Sequence, residues 1–377
     1  MKKILVVFMT LLMICGCSVK EDVINVIRPD EAEPEEVQAN GVWVCTAVHN
    51  DEGETSTYRY NEKGSLIKTS EAAYIYDSNG NLKAEILFAD YDDGHMWGLT
   101  LYDYDEKNRL IKEQPMEFVM YSPRDIDAWG YYTYEYLEDG TDRIKKKGHY
   151  DPNNLTGGNW SVSYEYYDDG YAIGDSEIHT LNEKGNDILV QYINKKKPEN
   201  NYSISYEYAE DGETLLKKTD DSKWGGGAWI TEYEYPEPTL MIEKHSSIDS
   251  NSVETEGSSV EYYKDEHGNT IREVRKNADG TVDYETTYDY RFIDFDHPEE
   301  NSSSDEPLFT AKIKYNDINI RTSPTTQADN IVGTVNKGET YKVYEALANE
   351  GYLWYRIGED KWIADKNTTW TTLTDKQ

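Results

Sequence analysis

One phrase recurs along this chain and restricts its fold more than any other feature. It reads Y-x-Y followed by a glycine six residues after the first Tyr: "YRYNEKG" from Tyr58, "YIYDSNG" from Tyr74, "YEYLEDG" from Tyr134, "YEYYDDG" from Tyr164 and "YEYAEDG" from Tyr206. "YDYDEKN" from Tyr102 places Asn108 where the glycine belongs, and Asn is the other residue that tolerates positive φ. "HTLNEKG" from His179 keeps the turn without the tyrosines. A phrase repeated in this way builds one structural unit several times.

The unit is a β-hairpin. In "WSVSYEY" the residues Trp160, Val162, Tyr164 and Tyr166 share one face, while Ser161, Ser163 and Glu165 share the other. "YSISYEY" from Tyr202, "WITEYEY" from Trp229 and "YETTYDY" from Tyr284 repeat the arrangement. After each tip a strand leaves, as in "NLKAEI" after Gly80 and "RLIKE" after Asn108. Antiparallel β-structure is therefore expected from Gly41 to Phe295, with no helix longer than three turns. The tips are expected at Gly64, Gly80, Asn108, Gly140, Gly170, Gly185, Gly212 and Gly268, the glycines among them with positive φ. Trp97 and Trp129 stand one place early beside a glycine, which predicts a bulge, and "VEYYKDEHG" from Val260 reads as a loop longer by two residues. With 33 Tyr against 6 Phe, tyrosine takes the places that aliphatic residues usually fill in a sheet.

These hairpins resemble the YD repeats of bacterial cell-surface and toxin-shell proteins, in which successive hairpins extend one long sheet. The irregular spacing here points to an open, curled sheet rather than a closed shell. The fold class expected for the whole chain is all-β, an extended or curled antiparallel sheet of repeated hairpins followed by a small SH3-like barrel.

The chain begins with Lys2 and Lys3, an apolar run from Ile4 to Ile14, and "ICGC" ending at Cys17. The run is too short for a spanning anchor and has the size of a signal-peptide core. The motif resembles the lipobox of bacterial lipoproteins, which implies a signal peptide at residues 1–16 and lipidation of Cys17. Residues 17–40 are acidic, aperiodic and Pro-containing, and read as a tether. Ser18, Glu21 and Asp22 resemble a surface-export signal of two-membrane bacteria. The expected location is extracytoplasmic, held to a cell membrane or outer membrane by lipid and so brought to the cell surface or envelope. Cys15 leaves with the signal and Cys17 carries lipid, so Cys45 is the one remaining thiol and no internal disulfide can form.

The net charge of −35 repels phosphate backbones, so nucleic acid is not an expected partner. "DHPEENSSSDEP" at 296–307 reads as a linker between a repeat domain at 41–295 and a second domain at 308–370.

That second domain contains "DINIRTSP", "NIVGTVNKG", "LWYRI" and "KWIAD". Ile318–Arg321, Ile331–Gly333 with Val335, Lys337–Gly338, Trp354–Ile357 and Trp362–Ile363 follow the order of a bacterial SH3-like (SH3b) domain, which this segment resembles. Five short alternating strands suffice for its small barrel. Ser323 and Lys361 stand where the family usually has glycine. The resemblance implies contact with peptidoglycan peptide or with protein. Trp362, exposed beside the turn "GEDK", is the expected anchor, with Arg321, Ser323 and Thr325 of the Arg321–Thr326 loop around it and an amine-bearing peptide as ligand. Trp354 within "LWYRI" is expected in the core, and the module is expected to fold alone, as a binder or as a structural cap.

No catalytic constellation emerges. Cys45 and His49 in "VWVCTAVHN" share strand parity, but two strand steps keep them about 13 Å apart. The histidines are scattered without an HExxH motif, and "DYDDGH" (Asp90–His95) and "YDSNGN" (Tyr76–Asn81) do not meet the pattern of a calcium loop. Neither an enzyme, a cofactor nor a metal is expected. Trp160, Tyr202, Trp229 and Tyr284 form an aromatic stripe that either stacks on sugar rings or fills the core under the sheet, the core being preferred. The expected function is a non-catalytic, lipid-anchored binding or scaffold protein of the cell envelope. The alternative is a glycan-binding lipoprotein using the Trp/Tyr face.

Overall fold

The structure is a computed structural model, described here for residues 40–88, 96–118, 126–128, 130–151, 158–222, 227–249, 251–297 and 306–375. The lipobox with Cys17, the tether, Asp90–His95, Trp129 and most of the 296–307 stretch lie outside the described residues. The described residues are β-strands and turns, with 3-10 turns at Pro198–Asn200 and Ala328–Asn330 and no α-helix.

From Gly41 to Asp294 the chain is an antiparallel meander in which most strands bond to the next; Thr55–Thr57 and Arg59–Tyr60 follow each other in line, and Leu110–Phe118 pairs with both Ile126–Ala128 and Tyr131–Tyr136. The expectation of an open sheet is corrected at its ends. The first strand, Gly41–Asn50, pairs on one edge with Thr55–Thr57 and on the other with the last, Val282–Asp294. That seam runs from Gly41 opposite Asp294 to Asn50 opposite Thr286. The sheet thus closes on itself, which removes the unpaired edges that an open sheet would expose.

The tips explain the Asp, Asn and Gly of the phrase. At Tyr76–Asn81 the Gly80 N–H donates to the Asp77 carbonyl at 3.0 Å, and Asp77 Oδ1 accepts from the N–H groups of Asn79 and Asn81, each at 2.9 Å. Asn61, Asp105, Asn182, Asp249 and Asp265 accept the same two N–H groups in their own turns. Gly80 has φ +85 and Asn108 φ +61, the left-handed residue that this short loop requires. Gly280 at φ +81 makes a further tip that the phrase did not reveal. The loop at Asp265 is no longer than the others. Tyr262 takes the place of the first tyrosine and Lys264 that of the second. Trp97 lies between Gly98 opposite Leu87 and Met96 opposite Phe88, and is bulged as expected.

Gly170 departs from the expectation. It does not have positive φ but begins the strand Gly170–Ile173, directly opposite both Tyr167 and Thr180. The turn is formed by Asp168 and Asp169, and a Cβ on Gly170 would meet the His179 carbonyl at 2.0 Å. Glycine is required here for close backbone approach.

The two tyrosines of the phrase find different kinds of partner in several of the repeats. The second donates its hydroxyl to a backbone carbonyl on the outgoing strand of a preceding hairpin: Tyr76 to Leu66, Tyr104 to Leu82, Tyr136 to Leu110, Tyr166 to Ile144 and Tyr235 to Leu215, at 2.7–3.0 Å. Lys83, Arg109 and Arg143 cover the rings of Tyr104, Tyr136 and Tyr166. The first tyrosine donates to a glutamate: Tyr102 to Glu85, Tyr134 to Glu113 and Tyr288 to Glu273. Burial, then these carboxylates, raise the phenol pKa well above its ordinary value at Tyr102, Tyr134 and Tyr288. Phenylalanine could fill the space but could not make the bond. Tyr136→Phe is expected to lower stability by about 1 kcal/mol, measured by urea denaturation. An unchanged midpoint would show that the hydroxyl bond adds nothing.

The C-terminal barrel has more strands than the five expected. One three-stranded sheet contains Phe309–Ile313, Thr340–Val343 and Thr371–Thr374. The other joins Ile331–Val335, Ile318–Arg321, Lys361–Asp365, Tyr352–Gly358 and Glu345–Asn349 in that spatial order. Its core continues into the meander. Phe309, Ile313, Tyr355 and Ile363 belong to one buried cluster with Ile75, Ile86, Phe88 and Leu99. Leu347 and Ala348 pair in parallel with Tyr76 and Asp77, and Arg59 donates to the carbonyls of Glu306 and Pro307.

Candidate functional site

A cleft of about 350 Å³ opens on the outer face of the C-terminal barrel. Strand parity builds it. Ile318 and Ile320 point into the barrel, so Asn319 and Arg321 stand on the opposite face and line the cleft, where Asp317, just before the strand at φ +60, joins them. Ile320 lies opposite Ile363, which brings Asn319 beside Ala364, and Ala364 lies opposite Trp354. The depression exists because Ala364 offers only a methyl between Asn319 and Trp354. Tyr315, Tyr352 and Trp370 complete the walls. The ring of Tyr352 lies 5.7 Å from Trp370 and 6.4 Å from Trp354.

Trp354 is fully buried as expected, but on the cleft side of the sheet, with its Nε1 donating to the Asn349 carbonyl at 3.0 Å. The residue that enters the shared core is its neighbour Tyr355. Trp362 corrects the expectation of an exposed anchor: it is only 7% exposed and does not line the cleft. It lies opposite both Arg321 and Arg356, so neighbouring strands flank it. Ser323 and Thr325 hold the loop together. Both accept from Asn330 Nδ2, Ser323 through its Oγ and carbonyl and Thr325 through its carbonyl, while the Thr325 hydroxyl donates to Glu350 at 2.6 Å. Thr326 donates to Glu350 through N–H and hydroxyl, and these bonds hold the Glu350 carboxyl below its usual range. Arg321 and Thr326 do line the cleft. Tyr315, Asp317, Asn319, Tyr352 and Trp370 were missed; the alternation of Asn319 and Arg321 with Ile318 and Ile320 was the signal for Asn319 alone.

Beneath the cleft, Asp365 is buried on the core side. It accepts from the Trp370 N–H at 2.8 Å and from the Thr371 hydroxyl. Burial pushes its carboxyl up.

The aromatic stripe is only partly core. Trp160 and Trp229 are 44% and 55% exposed, while Tyr202 and Tyr284 are half-buried. All four lie on the tyrosine face, but Trp160 and Trp229 are six strands apart, about 29 Å at ordinary strand spacing. Tyr202 stacks on Tyr192 at 4.4 Å, and Trp160 on His149 at 5.7 Å.

Cys45 and His49 are separated further than parity implied. A register shift between Cys45 and Ala47 puts Cys45 opposite Tyr290 and His49 opposite Thr287, on different faces. His49 contacts the Thr55 hydroxyl and Asp289, and burial pushes the Cys45 thiol up. Among the described residues no cluster of three His, Cys, Asp or Glu could hold a metal ion.

Residues 316–369, which contain most of the cleft wall, match the family described as Bacterial SH3 domain. No curated protein matches the chain. Among solved structures, the chain is similar to "TcdB2-TccC3-TEV" with a TM-score of 0.29 and 15% identity, over 60% of this chain and 14% of that one. It is also similar to a porin-like protein from Bacteroides vulgatus, with a TM-score of 0.27 and 9% identity over 66% of this chain and 98% of that one. A porin-like protein from Bacteroides uniformis gives 0.24 and 10% over 55% and 96%.

Proposed function

We propose that this is a non-catalytic protein of the cell envelope, lipidated at Cys17, that holds peptides of the cell wall or of a protein partner in the cleft of its SH3-like module. The observation that carries the reading is the aromatic-walled cleft within the segment that matches a bacterial SH3 domain. The hairpin repeats, similar in phrase to YD repeats, serve as the body on which that module is mounted. The test is co-sedimentation of the full chain with purified peptidoglycan sacculi, with Ala364→Leu as the control that fills the cleft. Retention of the native chain and loss of the variant is the expected result; equal sedimentation of both would refute a role for the cleft.

Anchoring is tested separately. Cys17→Ala should move the protein from the membrane fraction to the soluble one. Persistence on membranes would refute lipidation at this residue.

The exposure of Trp160 and Trp229 supports a second reading, in which the tyrosine face stacks on glycan rings. Their separation allows two distinct contacts on a long polysaccharide, and not one subsite. Affinity electrophoresis through a polysaccharide panel tests it, with retardation of the native chain lost in Trp229→Ala.

A further inference from the structure

The cleft carries two charges of opposite sign. Asp317 precedes the strand Ile318–Arg321 at φ +60 and Arg321 ends that strand; both line the cleft, and the extended residues between them, with uncharged Asn319, set their backbone positions about 13 Å apart. Neither forms an ion pair among the described residues. Asp317 makes no hydrogen bond there through its carboxylate. Arg321 is fixed by Nη1, which donates to the Gln327 carbonyl at 3.1 Å and to Asn330 Oδ1 at 2.7 Å. The guanidinium is therefore held in place beside the cleft. Glu350 lies near enough to Arg321 to interact electrostatically, but its two oxygens already accept from Thr325 and Thr326. The cleft is also lined by the aromatic rings of Tyr352 and Trp370 and by the small side chain of Ala364.

From this geometry we infer that the cleft takes a short extended peptide with both ends free, its ammonium group at Asp317 and its terminal carboxylate at Arg321. The inference rests on the reading of the module as a peptide binder and adds to it length, polarity and end chemistry. Four extended residues carry their terminal charges about 13 Å apart, which matches the separation of the two residues along the backbone. The aromatic wall favours the ammonium end through its ring faces, and the planar guanidinium fork suits a carboxylate. Blocking either end removes one charge contact and leaves the protein's own charge unpaired in the cleft. A longer chain passing through, with no free ends there, gains neither contact.

The experiment titrates the full chain with tetra-alanine, N-acetyl-tetra-alanine and tetra-alanine amide, followed by tryptophan fluorescence and calorimetry. Tetra-alanine is expected to bind in the millimolar range, and each capped form roughly tenfold more weakly. Asp317→Asn should weaken tetra-alanine to the level of the N-acetyl peptide and leave the N-acetyl peptide unchanged. Asn suits the φ of +60 at this position, so the variant keeps the turn. Ala364→Leu should abolish binding of all three, with an unchanged melting curve as evidence that the barrel is intact. Equal affinity for free and capped peptides, or no binding of tetra-alanine at 10-fold the millimolar range, would overturn the inference. Sacculi that bind the native chain and Asp317→Asn alike would overturn it while leaving the proposed function standing. Tetra-alanine binding with the expected polarity, but no sedimentation with sacculi, would do the reverse.

Discussion

Phe309→Ala is expected to destabilise the chain by about 4 kcal/mol, and to weaken the meander as well as the C-terminal barrel. Phe309 is 2% exposed and sits at the junction of the two. Its ring centroid is 6.1 Å from Phe88 of the meander and 5.4 Å from Tyr355 of the barrel, the latter edge-on at 89°. Truncation to Ala therefore leaves a void shared by Ile75, Ile86, Leu99 and Ile363, which rigid strands on both sides cannot close. The same packing predicts that residues 308–377 will not melt as the intact protein does when expressed alone. Cut away, the barrel would turn Leu308, Phe309 and part of its inner sheet towards water, and would lose the parallel pairing of Leu347 and Ala348. Near-ultraviolet circular dichroism of the excised segment and of Phe309→Ala provides the measurement. An excised barrel that melts cooperatively at the temperature of the intact chain would show that the shared core is dispensable.

Gly170→Ala should cost roughly 2–3 kcal/mol or more, and Gly170→Asn at least as much, because both add a Cβ where the His179 carbonyl lies 2.0 Å away. Either the ladder between Gly170 and Thr180 opens or the strand Glu177–Leu181 moves. At Gly80 the situation is the opposite. Nothing lies within 4 Å of its would-be Cβ, and φ is +85, so Gly80→Ala pays only the left-handed penalty of about 1–2 kcal/mol, and Gly80→Asn less. Thermal denaturation of the four variants decides the matter. If Asn rescues position 170 as it rescues position 80, the close approach is not what glycine serves there.

This contrast shows what the repeated phrase could convey. Spacing and turn chemistry located the tips at Gly64, Gly80, Asn108, Gly140, Gly185, Gly212 and Gly268 because an Asx acceptor and a positive-φ residue are local requirements. "YEYYDDG" carries the same letters, yet Asp168 and Asp169 make a tighter turn and Gly170 enters the next strand. What that glycine faces is set by a neighbouring strand, and no local pattern contains it. The closure of the sheet was hidden for the same reason: the pairing of Gly41–Asn50 with Val282–Asp294 joins residues more than two hundred positions apart. In the cleft, Arg321 and Thr326 were legible from the loop, whereas Trp362 was assigned to the surface because a turn precedes it. Its burial depends on strands that lie beside it in space. Tyr352 and Trp370 reach the cleft from separate strands or turns, and nothing in their spacing announces that they meet.

The seam has a mechanical consequence. Gly41 faces Asp294 at one end of the pairing, and the side chain of Asn40 donates to Asp296 at 3.1 Å, so the chain enters and leaves the ring at one point. A pull between residues 40 and 296 would therefore act across the ladder and not along it. Its bonds would yield one after another, from Gly41 towards Asn50, at low force, while the hairpins on the far side carried no load. The ring would open like a clasp, at its own first and last strands, and could shut again once the tension was released.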